Sequence, residues 1–262
     1  MKWLVSLPSA LTSLLAIASP APASQPARSA SPSTVPTRIV FSSGETATVT
    51  AYRQSSYATT LASAATLRGK LRDKHQATKG KERSAVLQEA RASLTHLLLS
   101  DILPAWHGTA WEFEGVSQVP GQGAIACGYF VTTTLRDAGL KLPRVKLAQQ
   151  PSQTIIRTLC TPGTIKVFDE RPIKEVVEYL EANGPGIYIV GLDCHTGFVV
   201  HDGESKAFIH SSYYKTPRAV VSEPVEGFNP LAHSKYRMMG KLFGDELVRK
   251  WMDGEAVEMK SR

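Results

Sequence analysis

Three cysteines and seven histidines carry the nucleophilic and proton-transfer capacity of this 262-residue chain. Cys127 has the most telling surroundings. It follows a glycine-rich stretch, Gly121-Gln-Gly-Ala-Ile-Ala, and opens a run to Ala138 with helical apolar spacing, closed by Gly139. A helix N-terminus has unpaired N–H groups and a partial positive charge. Both favour a thiolate, so the thiol is expected to ionise more easily than a free cysteine. The same N–H groups suit an oxyanion, and Gly128 would let a substrate approach the backbone. A buried structural cysteine accounts for this segment equally well.

His195 tips that balance. It opens a short β-rich run, His195–His201, placed after the cysteine-bearing helix. A thiol nucleophile needs an imidazole to take its proton and return it to the leaving group. The imidazole in turn needs a polar partner to fix its tautomer. The next β-rich run, Ala207–Ser211, ends on His210 and Ser211. A hairpin at His201-Asp202-Gly203 would bring His210 beside His195. Trp111, Phe113, Tyr129, Phe198 and Tyr213 are candidate groove aromatics, although periodicity points Phe130 and Phe198 into the core. His107, Asp193, His201, Asp202 and His233 match no zinc spacing, so no metal is expected. Asp193 reads as a loop residue and His201 as a strand end. An odd cysteine count in an exported chain implies a free thiol. A Cys160–Cys194 pair would leave Cys127 as that thiol.

The elements that must hold these residues read as α+β. Strands are expected at Arg38–Phe41 and Thr46–Tyr52, and helices at Ser55–His75 and Ser84–Leu103, the latter stopped by Pro104. Val86, Leu87, Ala90, Leu94, Leu97 and Leu98 form its apolar face. A loop rich in Gly, Trp and Pro covers Trp106–Gly123. Helices follow at Ser152–Leu159 and Pro172–Asn183, then strands at Gly186–Leu192, His195–His201, Ala207–Ser211, Arg218–Ser222 and Lys235–Phe243. Asp245 is a candidate cap for a last helix through Trp251.

Met1-Lys2, an apolar run from Trp3 to Ala18, and the small-residue sites Ala16-Ile-Ala18 and Ala21-Pro-Ala23 have the layout of a secretory signal peptide. The run is shorter than the ~20 residues of a stable membrane span. The expected organisation is a leader at 1–23, a Ser/Pro/Ala-rich disordered linker at 24–37, a helical region at 38–104 and a catalytic domain at 105–262. The net charge of +7 favours anionic partners in general. Its densest patch, Arg68–Arg83, lacks interleaved aromatics and reads as a solvated helix face rather than a nucleic-acid site.

Cys127-Gly-Tyr-Phe-Val131, His195-Thr-Gly-Phe-Val199 and Phe208-Ile-His-Ser211 together resemble the NlpC-type group of papain-like cysteine peptidases, which cut peptide stems of the bacterial cell wall. The likeness spans roughly Trp106–Tyr214. It implies an antiparallel sheet packed on the cysteine helix. It also implies Cys127 as nucleophile, His195 as general base and His210 as orienting residue, with no cofactor. The group's G-T-x-Y-x-x-G stretch is represented by Gly108–Gly115, where Trp111 replaces the tyrosine and offers only an indole N–H. The usual D-C-S-G is Ala126-Cys127-Gly128-Tyr129, and Gln122 is a candidate oxyanion glutamine, with Ser211 a further substrate contact. The expectation is a periplasmic or secreted hydrolase of an amide bond, acting on peptidoglycan or another peptide through a thioester on Cys127. An acyltransferase or other amidase on the same fold, and a non-catalytic binding protein, are the alternatives.

Overall fold

The computed structural model describes residues 47–260, with side chains from Ser56 onward. The expected leader, linker and first strand lie outside the described residues. The described part is mixed α+β, with a six-stranded antiparallel sheet and helices on both of its faces.

Helix α1 (Ala47–Ala77) and helix α2 (Gly80–His96) form an antiparallel pair. Tyr57, Ala64 and Leu71 recur every seven residues and are buried. Val86, Ala90 and Leu94 do the same work on α2. The strand expected at Thr46–Tyr52 is not there, because residues 47–52 are the first turns of α1. Their β-branched residues favour a strand locally, but extending an existing helix needs no new nucleus. Pro104 does not stop α2 either. The chain passes through a wide π-helical segment, Leu97–Ile102, into a short helix α3 (Leu103–Trp106) that carries Pro104. The wider turn moves away the carbonyl that the proline ring would otherwise strike.

Helix α4 (Cys127–Asp137) is followed by α5 (Arg144–Ala148), α6 (Ser152–Leu159) and α7 (Ile173–Asn183). The strands are β1 (Lys166–Asp169), β2 (Gly186–Leu192), β3 (Thr196–His201), β4 (Lys206–Ser211), β5 (Val220–Pro224) and β6 (Tyr236–Lys241). A short helix α8 (Pro230–His233) precedes β6, and α9 (Asp245–Asp253) follows it. Gly244 rather than Asp245 occupies the N-cap of α9, so Asp245 opens the helix without capping it. The sheet order is β1-β6-β2-β3-β4-β5, every pair antiparallel.

Alternation along the strands divides the core. Ile189, Phe198, Val200 and Ile209 point to the face where α4 and α6 lie, in one apolar cluster that also takes in α1, α2 and α9. Tyr188, Val190, Val199 and Phe208 point to the other face and pack with Val176, Tyr179 and Leu180 of α7. Residues from Tyr57 to Leu103 therefore contribute to a continuous core with α4. No helix among the described residues is long and apolar enough to cross a membrane.

Candidate active site

The site lies at the end of the sheet, where α4 begins and β3 begins. A web of backbone contacts sets the start of α4. Ile125 N–H donates to the Ala110 carbonyl at 2.9 Å and Ala126 N–H to Gly115 at 2.8 Å. The Ser211 hydroxyl, fully buried, donates to the Ile125 carbonyl at 2.6 Å. Gly115 is needed there, since a Cβ would lie 2.7 Å from the Ala124 carbonyl carbon. Ala126, at the N-cap, has no side chain able to accept from the first turn. The backbone N–H groups of Thr196, Gly128 and Cys127 itself act on the Cys127 sulfur at this end of the helix, each favouring its ionised form.

His195 immediately precedes β3, and the register of β3 on β4 sets what lies beside it. Phe198 pairs with Ile209 and Val199 with Phe208, so Gly197 falls opposite His210. A Cβ on Gly197 would come within 2.7 Å of the His210 Cβ. With that space clear, the His210 ring stacks on Phe208 at 4.0 Å, and its Nδ1 lies 2.7 Å from His195 Nε2. His210 Nε2 in turn lies 3.0 Å from Glu223 Oε2 on β5, and the other oxygen of Glu223 accepts from Lys215 Nζ at 2.8 Å. His195 and His210 are both buried. His195 Nδ1 is the one buried side-chain nitrogen or oxygen among the described residues without a hydrogen-bond partner.

Cys127 and His195 border one cavity of about 460 Å³. Gly128, Ser152, Cys194 and Tyr236 also line it. The Tyr213 ring stands edge-on to His195 at 5.1 Å, and its hydroxyl lies 3.6 Å from Cys194 Sγ. Burial, then Cys194, push the Tyr213 hydroxyl up to about 12. Burial holds His195 well below 6.5, reinforced by His210, and burial also lowers His210 against the opposing pull of Glu223. Hydrogen bonds from His210 and Lys215 take the Glu223 carboxyl below its ordinary value, against its own burial.

The chain matches no protein-family model, and neither a curated protein nor a solved structure is significantly similar to it.

Several sequence expectations change here. The Cys127 thiol is pushed up, not down, because burial outweighs the helix N-terminal N–H groups that lower it. Gly128 is also a packing requirement, since the place of its missing Cβ is taken by the carbonyl of Ala148, the last residue of α5. Gln122 sits exposed on a turn outside the cavity, its N–H bonded to Val119. Ser211 is buried and spends its hydroxyl proton on the loop before Cys127. Cys160 and Cys194 are not paired, and all three cysteines are free thiols. Cys160 is buried under Gly240 of β6, where burial takes its thiol up to about 12, whereas Cys194 is exposed at the cavity rim.

Among the groove aromatics, Trp111 packs on Tyr213 at 5.8 Å and so lies near His195. Phe198 is core, edge-on to Phe130 at 5.9 Å. Tyr129 lies beneath Arg144, and Phe113 projects into solvent. Asp193 is held in its loop by the Ser234 hydroxyl and by the N–H groups of Lys235 and Tyr236. No group of three or more His, Cys, Asp or Glu among the described residues is placed to hold a metal. Sequence reasoning missed Glu223. Ending that strand at Ser222 left it out, although strand alternation from Val221, the partner of His210, places Glu223 two residues on and on the same face.

Proposed function

We propose that this chain is an exported cysteine hydrolase with the NlpC-type, papain-like arrangement, cleaving an amide bond in cell-wall peptides through a thioester on Cys127. One observation carries the proposal. The ring of His195 has its Nε2 engaged by His210 and its Nδ1 unpartnered, while bordering the same cavity as Cys127. A buried nitrogen without a partner costs free energy, so its persistence calls for an explanation. A general base awaiting a proton supplies one. The order of parts also fits the resemblance: a cysteine at a helix start, a histidine opening a strand, and a second histidine on the next strand.

The chemistry runs as follows. The Cys127 S–H proton passes to His195 Nδ1 as the sulfur attacks the amide carbon. The N–H groups at the start of α4 hold the oxyanion. The C–N bond breaks, the leaving amine takes the proton from His195, and a thioester remains. Water then attacks, giving its proton to His195, and the carboxylic acid departs as the thiol is restored. Burial disfavours both the thiolate and the imidazolium, so the resting pair is neutral and proton transfer accompanies attack. The cell-wall substrate rests on the leader, the basic charge and the resemblance. Mass spectrometry of muropeptides incubated with the wild type and Cys127→Ala tests it. New cleavage products with the first and none with the second are expected. Intact muropeptides with both would remove this substrate.

The raised thiol favours a second reading, a binding protein that keeps the pocket without chemistry. A Cys127 that resists iodoacetamide at neutral pH would support it.

A further inference from the structure

We infer that Glu223 is a positioning residue that sets the direction of the hydrogen bonds through His210 and His195, leaving Nδ1 of His195, a residue that borders the cavity, as a bare acceptor. The inference rests on the proposed function for its purpose, but its geometry stands apart from it. The Glu223 carboxylate can only accept, so His210 Nε2, 3.0 Å away, carries the hydrogen. A neutral His210 then has a lone pair on Nδ1. His195 Nε2, 2.7 Å away, must donate to it. A neutral His195 with its hydrogen on Nε2 has its lone pair on Nδ1, the atom without a partner. Each hydrogen bond fixes the direction of the next, and the relay begins at Glu223.

The surrounding groups agree with one polarity. Lys215 donates to the second oxygen of Glu223, which keeps the carboxylate ionised and unable to donate. Phe208 offers His210 only a ring face. Beside His195, Tyr213 presents an edge, with Cys194 bonded to its hydroxyl. Cys127 borders the same cavity as His195, and Asp193, Cys194 and Tyr236 are the other titratable groups that line it. If the polarity reversed, His195 would carry its hydrogen on Nδ1 and could not take a proton from the thiol.

The test is nitrogen-15 NMR of the two imidazoles in the full chain at pH 7, paired with the alkylation rate of Cys127 by iodoacetamide, followed by peptide mass. In the wild type both rings are expected to be neutral and protonated on Nε2. In Glu223→Gln the amide can offer His210 either its oxygen or its NH₂ group, so the single polarity is lost. Hydrogen then appears on His195 Nδ1, and Cys127 alkylation slows about tenfold. Glu223→Asp, which keeps the charge, restores the wild-type tautomers. A wild-type His195 protonated on Nδ1 overturns the inference, and needs no variant to fold. So does a Glu223→Gln protein with wild-type spectra. Altered tautomers with unchanged alkylation would support the role of Glu223 and count instead against Cys127 as the nucleophile served by His195.

Discussion

The two ends of α4 treat buried polar groups in opposite ways. At its C-terminal end, Asp137 accepts from the Tyr57 hydroxyl at 2.6 Å and from Arg136 at 2.7 Å. Tyr57 in turn accepts from the Trp106 indole at 3.0 Å. These bonds tie α1, α3 and α4 together. At the N-terminal end the chain from Lys215 through Glu223 and His210 stops at His195, with one nitrogen left over. A completed network stabilises and goes no further. A network left one partner short retains capacity for a proton. The contrast separates what α4 does for the fold from what it does for the proposed chemistry.

The largest expected effect breaks only the N-terminal end. Cys127→Ala removes the proposed nucleophile and is expected to lower amide cleavage by roughly 10³-fold or more. Its melting midpoint should change little, since the stability cost is within about 1 kcal/mol. A variant that unfolds, or that still cleaves, would erase the division between the ends.

The converse change is Tyr57→Phe. It leaves the Trp106 N–H and one Asp137 oxygen without their partner, at a cost of about 1–3 kcal/mol in urea unfolding. Cleavage per folded molecule should be unaltered.

Acid should act on the two ends with opposite sign. His195 and His210 are held below 6.5, so the folded chain binds fewer protons than the unfolded one as pH drops below that value. Their contribution is complete above pH 6.5 and is lost as pH falls through the folded values, by up to about 1.4 kcal/mol per pH unit for each ring. Burial raises Asp137 despite the bonds from Tyr57 and Arg136. The folded chain therefore holds more protons there above pH 3.8, and that contribution is greatest in acid and lost as pH rises through the raised value. Calorimetry from pH 7.5 to 4 should show falling stability, with a steeper fall in Asp137→Asn. Rising stability across the upper half of that range would contradict the buried neutral histidines.

The smallest effect belongs to Gln122→Ala. The side chain is exposed and outside the cavity, so stability should move by less than about 0.5 kcal/mol and cleavage not at all. A tenfold loss of cleavage would return Gln122 to the oxyanion site.

Much of the local architecture was legible because it has a period. Ser152–Leu159 and Gly186–Leu192 form the helix and strand expected of them, and Cys127 opens its helix after Ala126. The failures occur where a distant partner overrules a local preference. Residues 47–52 are helical because α1 extends through them. Pro104 is carried by a π-helical turn that no local rule anticipates. The supposed Cys160–Cys194 bridge fails because one thiol lies under β6 and the other at a cavity rim.

Residue type and spacing were enough to place Cys127 at a helix start, His195 just before a strand and His210 on the next one, because helix starts and strand alternation are written in a few neighbouring letters. They were not enough to find Glu223, or to show that burial reverses the effect of a helix start on the thiol. Those outcomes depend on how densely remote segments pack around each group and which strand edge closes the sheet, and both arise only when the whole chain has folded.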